Sequence, residues 1–108
     1  MQDVLEGLYV VVQQRKIEPQ EGSYTCYLLD KGLDKILKKC GEECSEVIIA
    51  AKHGVQEETV GEICDLMYHL LVMMVDQGIP LEEVLAEIAD RSKKTQNLKP
   101  IHQVDKNS

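Results

Sequence analysis

The sequence contains no phenylalanine and no tryptophan, and its only aromatic residues besides histidine are four tyrosines. Without large flat side chains to fill the space between two sheets, a core must be built from Leu, Ile, Val, Met and Ala, and that inventory favours helices over a sandwich. Positive charge is also scarce: twelve Lys and Arg stand against nineteen Asp and Glu, a formal net charge of −7. Non-specific nucleic-acid binding needs a basic face to displace counterions, so no nucleic-acid partner is expected. An anionic substrate would need local lysines or a metal ion to hold it. No run reaches the ~18 apolar residues of a bilayer span. The start, MQDVLEGLYV, lacks the basic-then-apolar layout of a secretory signal. The expectation is therefore no membrane partner and a cytoplasmic location. Cys26, Cys40, Cys44 and Cys64 include no C-x-x-C pair, and three of them fall on apolar helical stripes. Free buried thiols are expected rather than a zinc site. There is no P-loop, no G-x-G-x-x-G and no Ser-His-Asp motif.

What the chain does have is helical periodicity. A length of 108 residues suits one domain. Residues 1–95 are expected to form it, and residues 96–108, which show no period, a flexible tail. Four segments carry apolar residues at helical spacing. The first, about Asp3 to Lys16, aligns Val4, Leu5, Leu8, Val11 and Val12 and ends in the basic pair Arg15-Lys16. The stretch IEPQEGSYTCYLLDKG, broken by Pro19 and Gly22, reads as a long irregular connection, and long connections are often functional. The second helix, about Leu33 to His53, aligns Leu33, Ile36, Leu37, Cys40, Cys44, Val47, Ile48 and Ala51 and stops at Gly54. The third, about Gln56 to Gln77, stops at Gly78. Pro80 then opens the fourth, about Leu81 to Lys93, which aligns Leu81, Val84, Leu85 and Ile88.

The third helix is apolar almost all round. Val60, Ile63, Cys64, Met67, Tyr68, Leu71, Met74 and Val75 cover one broad face, and Leu66, Leu70 and Met73 much of the other flank. Its narrow polar strip is Glu62, Asp65, His69 and Asp76. A helix of this kind is buried, and four short helices can hardly enclose it. The fold class expected is thus all-α, a bundle of four to five helices completed by dimerisation, with a homodimer as the working assembly.

Within GEECSE on the second helix, Glu43 and Glu46 are three residues apart and project as neighbours, with Glu42 further toward solvent and Cys44 expected to anchor the turn to the core. Glu62 and Asp65 repeat the spacing on the third helix. The short connection at HGVQEE predicts an antiparallel hairpin, which sets the two acid pairs face to face. Four such carboxylates must protonate, spread apart or hold a cation. Oxygen-only ligands select Mg²⁺, or Mn²⁺, over zinc, and such an ion suits an enzyme acting on a phosphate ester or anhydride. The alternative is an ordinary solvated acidic face. Against it stands the second pair, lying in the one polar strip of a buried helix; the Lys-first order of Lys38/Glu42 and Lys39/Glu43 is a weaker point.

Other residues keep two readings open. His69, one turn beyond Asp65, is either a partner of substrate or of a ligand residue, or a hydrogen-bonded structural histidine. Lys31, Lys35, Lys38 and Lys39 either meet phosphates or line a surface, the phosphate role suiting Lys38 and Lys39 best. Ser23, Tyr24 and Thr25 either contact substrate or form a helix cap.

The arrangement Glu42-Glu43-x-x-Glu46, fifteen intervening residues, then Glu62-x-x-Asp65 resembles the EExxE…ExxD signature of the all-α nucleoside-triphosphate pyrophosphohydrolase (MazG-like) superfamily. The words GSYTCYLLDKGLDKILKKCGEECSEVIIAAKHG, EICDLMYHLLVMM and GIPLEEVLAEIADR are similar to the phosphoribosyl-ATP pyrophosphatase family, over nearly the whole chain up to about Arg91. The resemblance implies hydrolysis of the α–β phosphoanhydride of phosphoribosyl-ATP to phosphoribosyl-AMP and pyrophosphate, the second step of histidine biosynthesis. It implies Mg²⁺ on Glu43, Glu46, Glu62 and Asp65 with Glu42 close by, Glu43 or Glu46 as the catalytic base, and substrate contacts at Lys38, Lys39, Ser23 and Tyr24. It also implies a dimeric helical bundle, and a chain of this length is expected to act without a fused cyclohydrolase. Two rivals remain: a house-cleaning pyrophosphatase of the same superfamily acting on nucleotides, and a non-catalytic helical dimerisation module.

Overall fold

The computed structural model describes residues 2–95, and they form five α-helices: α1 (Gln2–Ile17), α2 (Tyr24–Lys31), α3 (Leu33–His53), α4 (Gln56–Gln77) and α5 (Leu81–Thr95). The expected flexible tail, residues 96–108, lies outside the described residues. The all-α expectation holds, and among the described residues there is no strand. Among the described residues, no helix is long and apolar enough to cross a membrane.

One expectation about the backbone needs correction. The stretch read as irregular contains α2, whose eight residues are too few to display a period. Its start is set by Ser23, which holds extended dihedrals while its Oγ accepts a hydrogen bond from the Cys26 backbone N–H at 3.2 Å. Its end is Gly32. At φ 93° this residue takes a conformation that a side chain would disfavour, closes α2 with a hydrogen bond from its N–H to the Leu28 carbonyl, and immediately starts α3. Gly54 ends α3 in the left-handed region as expected, its N–H bonded to the Ala50 carbonyl.

α3 and α4 form the antiparallel hairpin predicted from their short connection, and theirs is the most extensive helix contact in the fold. α1 and α2 pack against this hairpin around a core of Tyr9, Val12, Leu28, Ile36, Leu71, Val72, Val75 and Leu81. Two polar ties hold α1 to the carboxyl end of α4. The Tyr9 hydroxyl donates to the Ile79 carbonyl at 2.7 Å, and the Lys16 ammonium donates to the Val75 carbonyl at 3.4 Å.

The apolar stripes are only half covered. On α1, Tyr9 and Val12 are buried while Val4 and Val11 are exposed; on α5, Leu81 is buried while Ile88 is exposed. On α3, Ile36 and Ala50 face the core, whereas Leu33, Leu37, Cys44 and Ile48 face outward. Cys44 therefore does not anchor its turn, and the free thiols are not the buried ones expected: Cys44 and Cys64 are exposed, Cys26 and Cys40 half-buried. α4 reverses expectation most. In its first half the apolar residues Val60, Ile63, Cys64 and Met67 are exposed, while along the polar strip His69 is buried, Glu62 and Asp76 are half-buried and Asp65 is exposed. Helical periodicity sets which residues share a face but not which face meets the neighbour. Here α3 takes the polar side of α4.

Candidate active site

Where the strip of α4 meets α3, the two acid pairs converge. One carboxylate oxygen from each of Glu43, Glu62 and Asp65 can be chosen so that all three lie within 4.8 Å of one another. Glu43 is 7% exposed, nearly as buried as the apolar core, and this results from α3 turning that edge toward α4. Oε2 of Glu43 and Oε2 of Glu62 are both cut off from solvent without a hydrogen-bond partner. Glu46 is exposed, yet its carboxyl reaches both Glu43 and Glu62. A cavity of about 630 Å³ opens beside the cluster, bordered by Glu46, Ile49, His53, Glu58, Glu62 and Asp65.

The charge in this corner is not balanced by the protein. A buried polar oxygen without a partner costs about 1–3 kcal/mol, more if it is charged. The nearest cation is Lys39, whose Nζ stands 3.3 Å from Oε1 of Glu42 and 3.8 Å from Oε1 of Glu43. Such a partly exposed pair contributes at most about 1 kcal/mol, so one lysine cannot offset four converging acids. The carboxyl equilibria respond accordingly. Burial pushes the Glu43 carboxyl above the usual carboxylate range, and a carboxyl–carboxyl hydrogen bond to Glu46 and the Glu46 charge push it further. Glu62 is raised first by its own hydrogen bond with Glu46, then by burial and by the charges of Glu46, Asp65 and Glu43. Lys39 loses some basicity to burial, but its hydrogen bond to Glu42 and the neighbouring Tyr24 and Glu43 outweigh that loss and raise it. Two orphaned oxygens in an all-carboxylate donor set fit a hard divalent cation.

The remaining candidates divide. Glu42 leans outward onto Lys39, as expected. Lys38 is exposed and makes no ion pair among the described residues. Ser23 is the cap of α2, and Thr25 is buried behind it. His69 is 5% exposed and fully engaged. Its Nδ1 lies 2.7 Å from the Asp65 carbonyl, which can only accept, so Nδ1 carries the proton; in the neutral ring Nε2 then accepts from the Tyr24 hydroxyl at 2.8 Å. The rings of Tyr24 and Tyr68 both meet His69 edge-on at 5.6 Å. The histidine thus joins α2 to α4 directly behind the acids. Sequence reasoning missed this tie and also missed Tyr27, which stacks on Tyr24 one turn away; the only available signal was the three-residue spacing of the two tyrosines.

Comparison with known proteins bears on the same residues. The family model described as phosphoribosyl-ATP pyrophosphohydrolase matches residues 5–92, a span containing every acid of the cluster. The chain is 52% identical over 97 residues to a phosphoribosyl-ATP pyrophosphatase of Clostridium botulinum, covering 90% of this chain and 88% of that one. It is 54% identical over 91 residues to the protein of that name from Listeria monocytogenes, covering 84% and 87%. With its namesake from Bacillus cytotoxicus it shares 47% identity over 105 residues, covering 97% and 98%.

Proposed function

The chain belongs to the phosphoribosyl-ATP pyrophosphohydrolase family, and from that premise we propose that it hydrolyses the α–β phosphoanhydride of phosphoribosyl-ATP, yielding phosphoribosyl-AMP and pyrophosphate, as the second step of histidine biosynthesis. The observation that carries this reading is the convergence of Glu43, Glu62 and Asp65 with two solvent-excluded oxygens left unpaired. Substrate anion and protein anion cannot meet there without a cation. Mg²⁺, with Mn²⁺ as a substitute, is the ion we assign to Glu43, Glu62 and Asp65, with Glu46 completing the set. When bound, it neutralises phosphate oxygens and makes water a better nucleophile.

The chain's own residues supply the rest. Glu43 and Glu46 are the carboxylates we assign to position the attacking water and to accept its proton. Glu46, being exposed, can pass that proton to solvent. Lys39, held by Glu42 and Glu43, faces the departing or remaining phosphates, with the exposed Lys38 beside it.

Residues 1–95 act as one domain in this reading, and a homodimer is its working form. In support, sixteen large hydrophobic residues are exposed among the described residues against eight buried, and Leu37, Ile48, Val60, Ile63 and Met67 lie on α3 and α4, the helices that carry the acids. An apolar surface on that scale needs a partner. A biosynthetic role places the protein in the cytoplasm. The test is pyrophosphate release from phosphoribosyl-ATP measured beside a panel of dUTP, dCTP and ATP. A clear preference for a panel nucleotide would assign the site to nucleotide clearance, and absence of any Mg²⁺-dependent release would remove the enzymatic reading.

A further inference from the structure

Beside the acid cluster the structure carries a second feature that hydrolysis of an anhydride does not require. Tyr24 and Tyr27 on α2 lie with ring centroids 6.2 Å apart and planes inclined by 25°, and each is 45% exposed. Exposed aromatic faces in near-parallel array are expensive to leave in water and are the usual platform for a heterocyclic base. Tyr24 is fixed in place by its hydroxyl, bonded to the buried His69, so the platform is preorganised. Over the Tyr27 ring stand two ammonium groups, Nζ of Lys31 at 5.8 Å and Nζ of Lys35 at 5.9 Å. Neither lysine makes an ion pair among the described residues, in a protein whose net charge is −7. A cavity of about 790 Å³ borders the two tyrosines, with Arg15 and Lys16 but also Asp30 and Asp76 on its wall.

The order of these groups along the surface is informative. Tyr24 feels the charges of Lys39, Glu43 and Glu42, so it adjoins the acids; Tyr27 is one turn further, and Lys31 and Lys35 stand over its ring. Phosphoribosyl-ATP has the same order of parts: a triphosphate at one end, a purine in the middle, and a second ribose with its own 5′-phosphate on the far side of the base. We propose that the Tyr24–Tyr27 face stacks the purine and that Lys31 and Lys35 bind the 5′-phosphate of the phosphoribosyl arm, so that this surface distinguishes the substrate from ATP. The inference rests on the proposed function for the identity of the ligand, but not on the metal cluster.

The test compares the wild type with Lys31→Ala/Lys35→Ala, Tyr27→Ala and Tyr27→Phe, all checked for helicity by circular dichroism. The lysine variant is expected to raise KM for phosphoribosyl-ATP about tenfold, as loss of charge-assisted contacts to one phosphate would do, with the loss concentrated in KM rather than kcat. Tyr27→Ala behaves likewise, and Tyr27→Phe, which keeps the stacking face, recovers. Calorimetric binding of phosphoribosyl-AMP and AMP gives the decisive ratio: the wild type favours phosphoribosyl-AMP, and the lysine variant loses that preference. A folded lysine variant with unchanged KM and an unchanged binding ratio overturns the subsite. If the wild type binds phosphoribosyl-AMP with this preference yet hydrolyses no phosphoribosyl-ATP, the proposed function falls while the subsite stands.

Discussion

The Tyr24 hydroxyl and His69 Nε2, forty-five residues apart in the chain, meet at 2.8 Å behind the carboxylate cluster. This bond and the one from His69 Nδ1–H to the Asp65 carbonyl use both ring nitrogens of a buried histidine. Tyr24→Phe keeps the ring but leaves a buried acceptor unpaired. We expect a loss of about 1–3 kcal/mol, hence a melting temperature lower by roughly 5 to 15 °C in a domain of this size. Nitrogen NMR of the imidazole is expected to report the Nδ1–H tautomer in the wild type; a ring protonated on Nε2 instead would contradict this arrangement.

Asp65→Ala and Glu46→Ala test the acids individually. Each is expected to lower Mg²⁺-dependent turnover by at least about a hundredfold, the scale of losing a group that acts on the transition state, while the helical circular dichroism signal persists. Near-normal activity in either variant removes that residue from the site.

Metal binding has its own readout in stability. An ion that binds only the folded chain contributes about 2.7 kcal/mol at one hundred times its Kd, so saturating Mg²⁺ is expected to raise the melting temperature by on the order of 10 °C. Asp65→Ala is expected to abolish that rise. An equal rise in the variant would indicate a non-specific salt effect.

The raised carboxyls of Glu43 and Glu62 give the metal-free protein a pH dependence of definite sign. A group whose folded pKa exceeds its unfolded value binds more protons when folded, so its contribution to stability falls as pH rises through and beyond that window. Metal-free protein is therefore expected to gain stability as pH falls toward the ordinary carboxylate range and these two acids take up protons, and saturating Mg²⁺ is expected to flatten the change. Urea melts across that range check both halves of the statement.

The exposed apolar face of α4 predicts an assembly. Ile63→Glu, with Ile63 41% exposed in the single chain, is expected to dissociate a homodimer into monomers in sedimentation velocity. A wild type that sediments as a monomer at micromolar concentration would refute the dimer directly.

Much of the site was legible because helical spacing and a short connection suffice to pair acids. Glu43, Glu62 and Asp65 could be placed together from two three-residue steps and a hairpin, and Gly54, Gly78 and Pro80 punctuated the chain where the helices stop and start. α2 was not legible as a helix, since eight residues hold little more than two turns, although a cap at Ser23 was one of the two readings open there. The inward turn of Glu43 and the outward turn of Cys44 were also hidden, since both residues border the same stripe and a small rotation exchanges them.

The sequence by itself determined that this protein is helical, that its longer helices stop and start near Gly54, Gly78 and Pro80, and that four acids recur at a spacing able to share a cation. Only the tertiary structure decided how deeply Glu43 is buried, which oxygens are left without partners, and that Tyr24 closes on His69. The physical reason is that periodicity orders side chains around a helix axis, whereas the rotation of each helix about that axis is set by the surfaces packed against it. In α4 that rotation turns His69 inward, leaves Glu62 half-buried and turns Val60, Ile63 and Met67 outward.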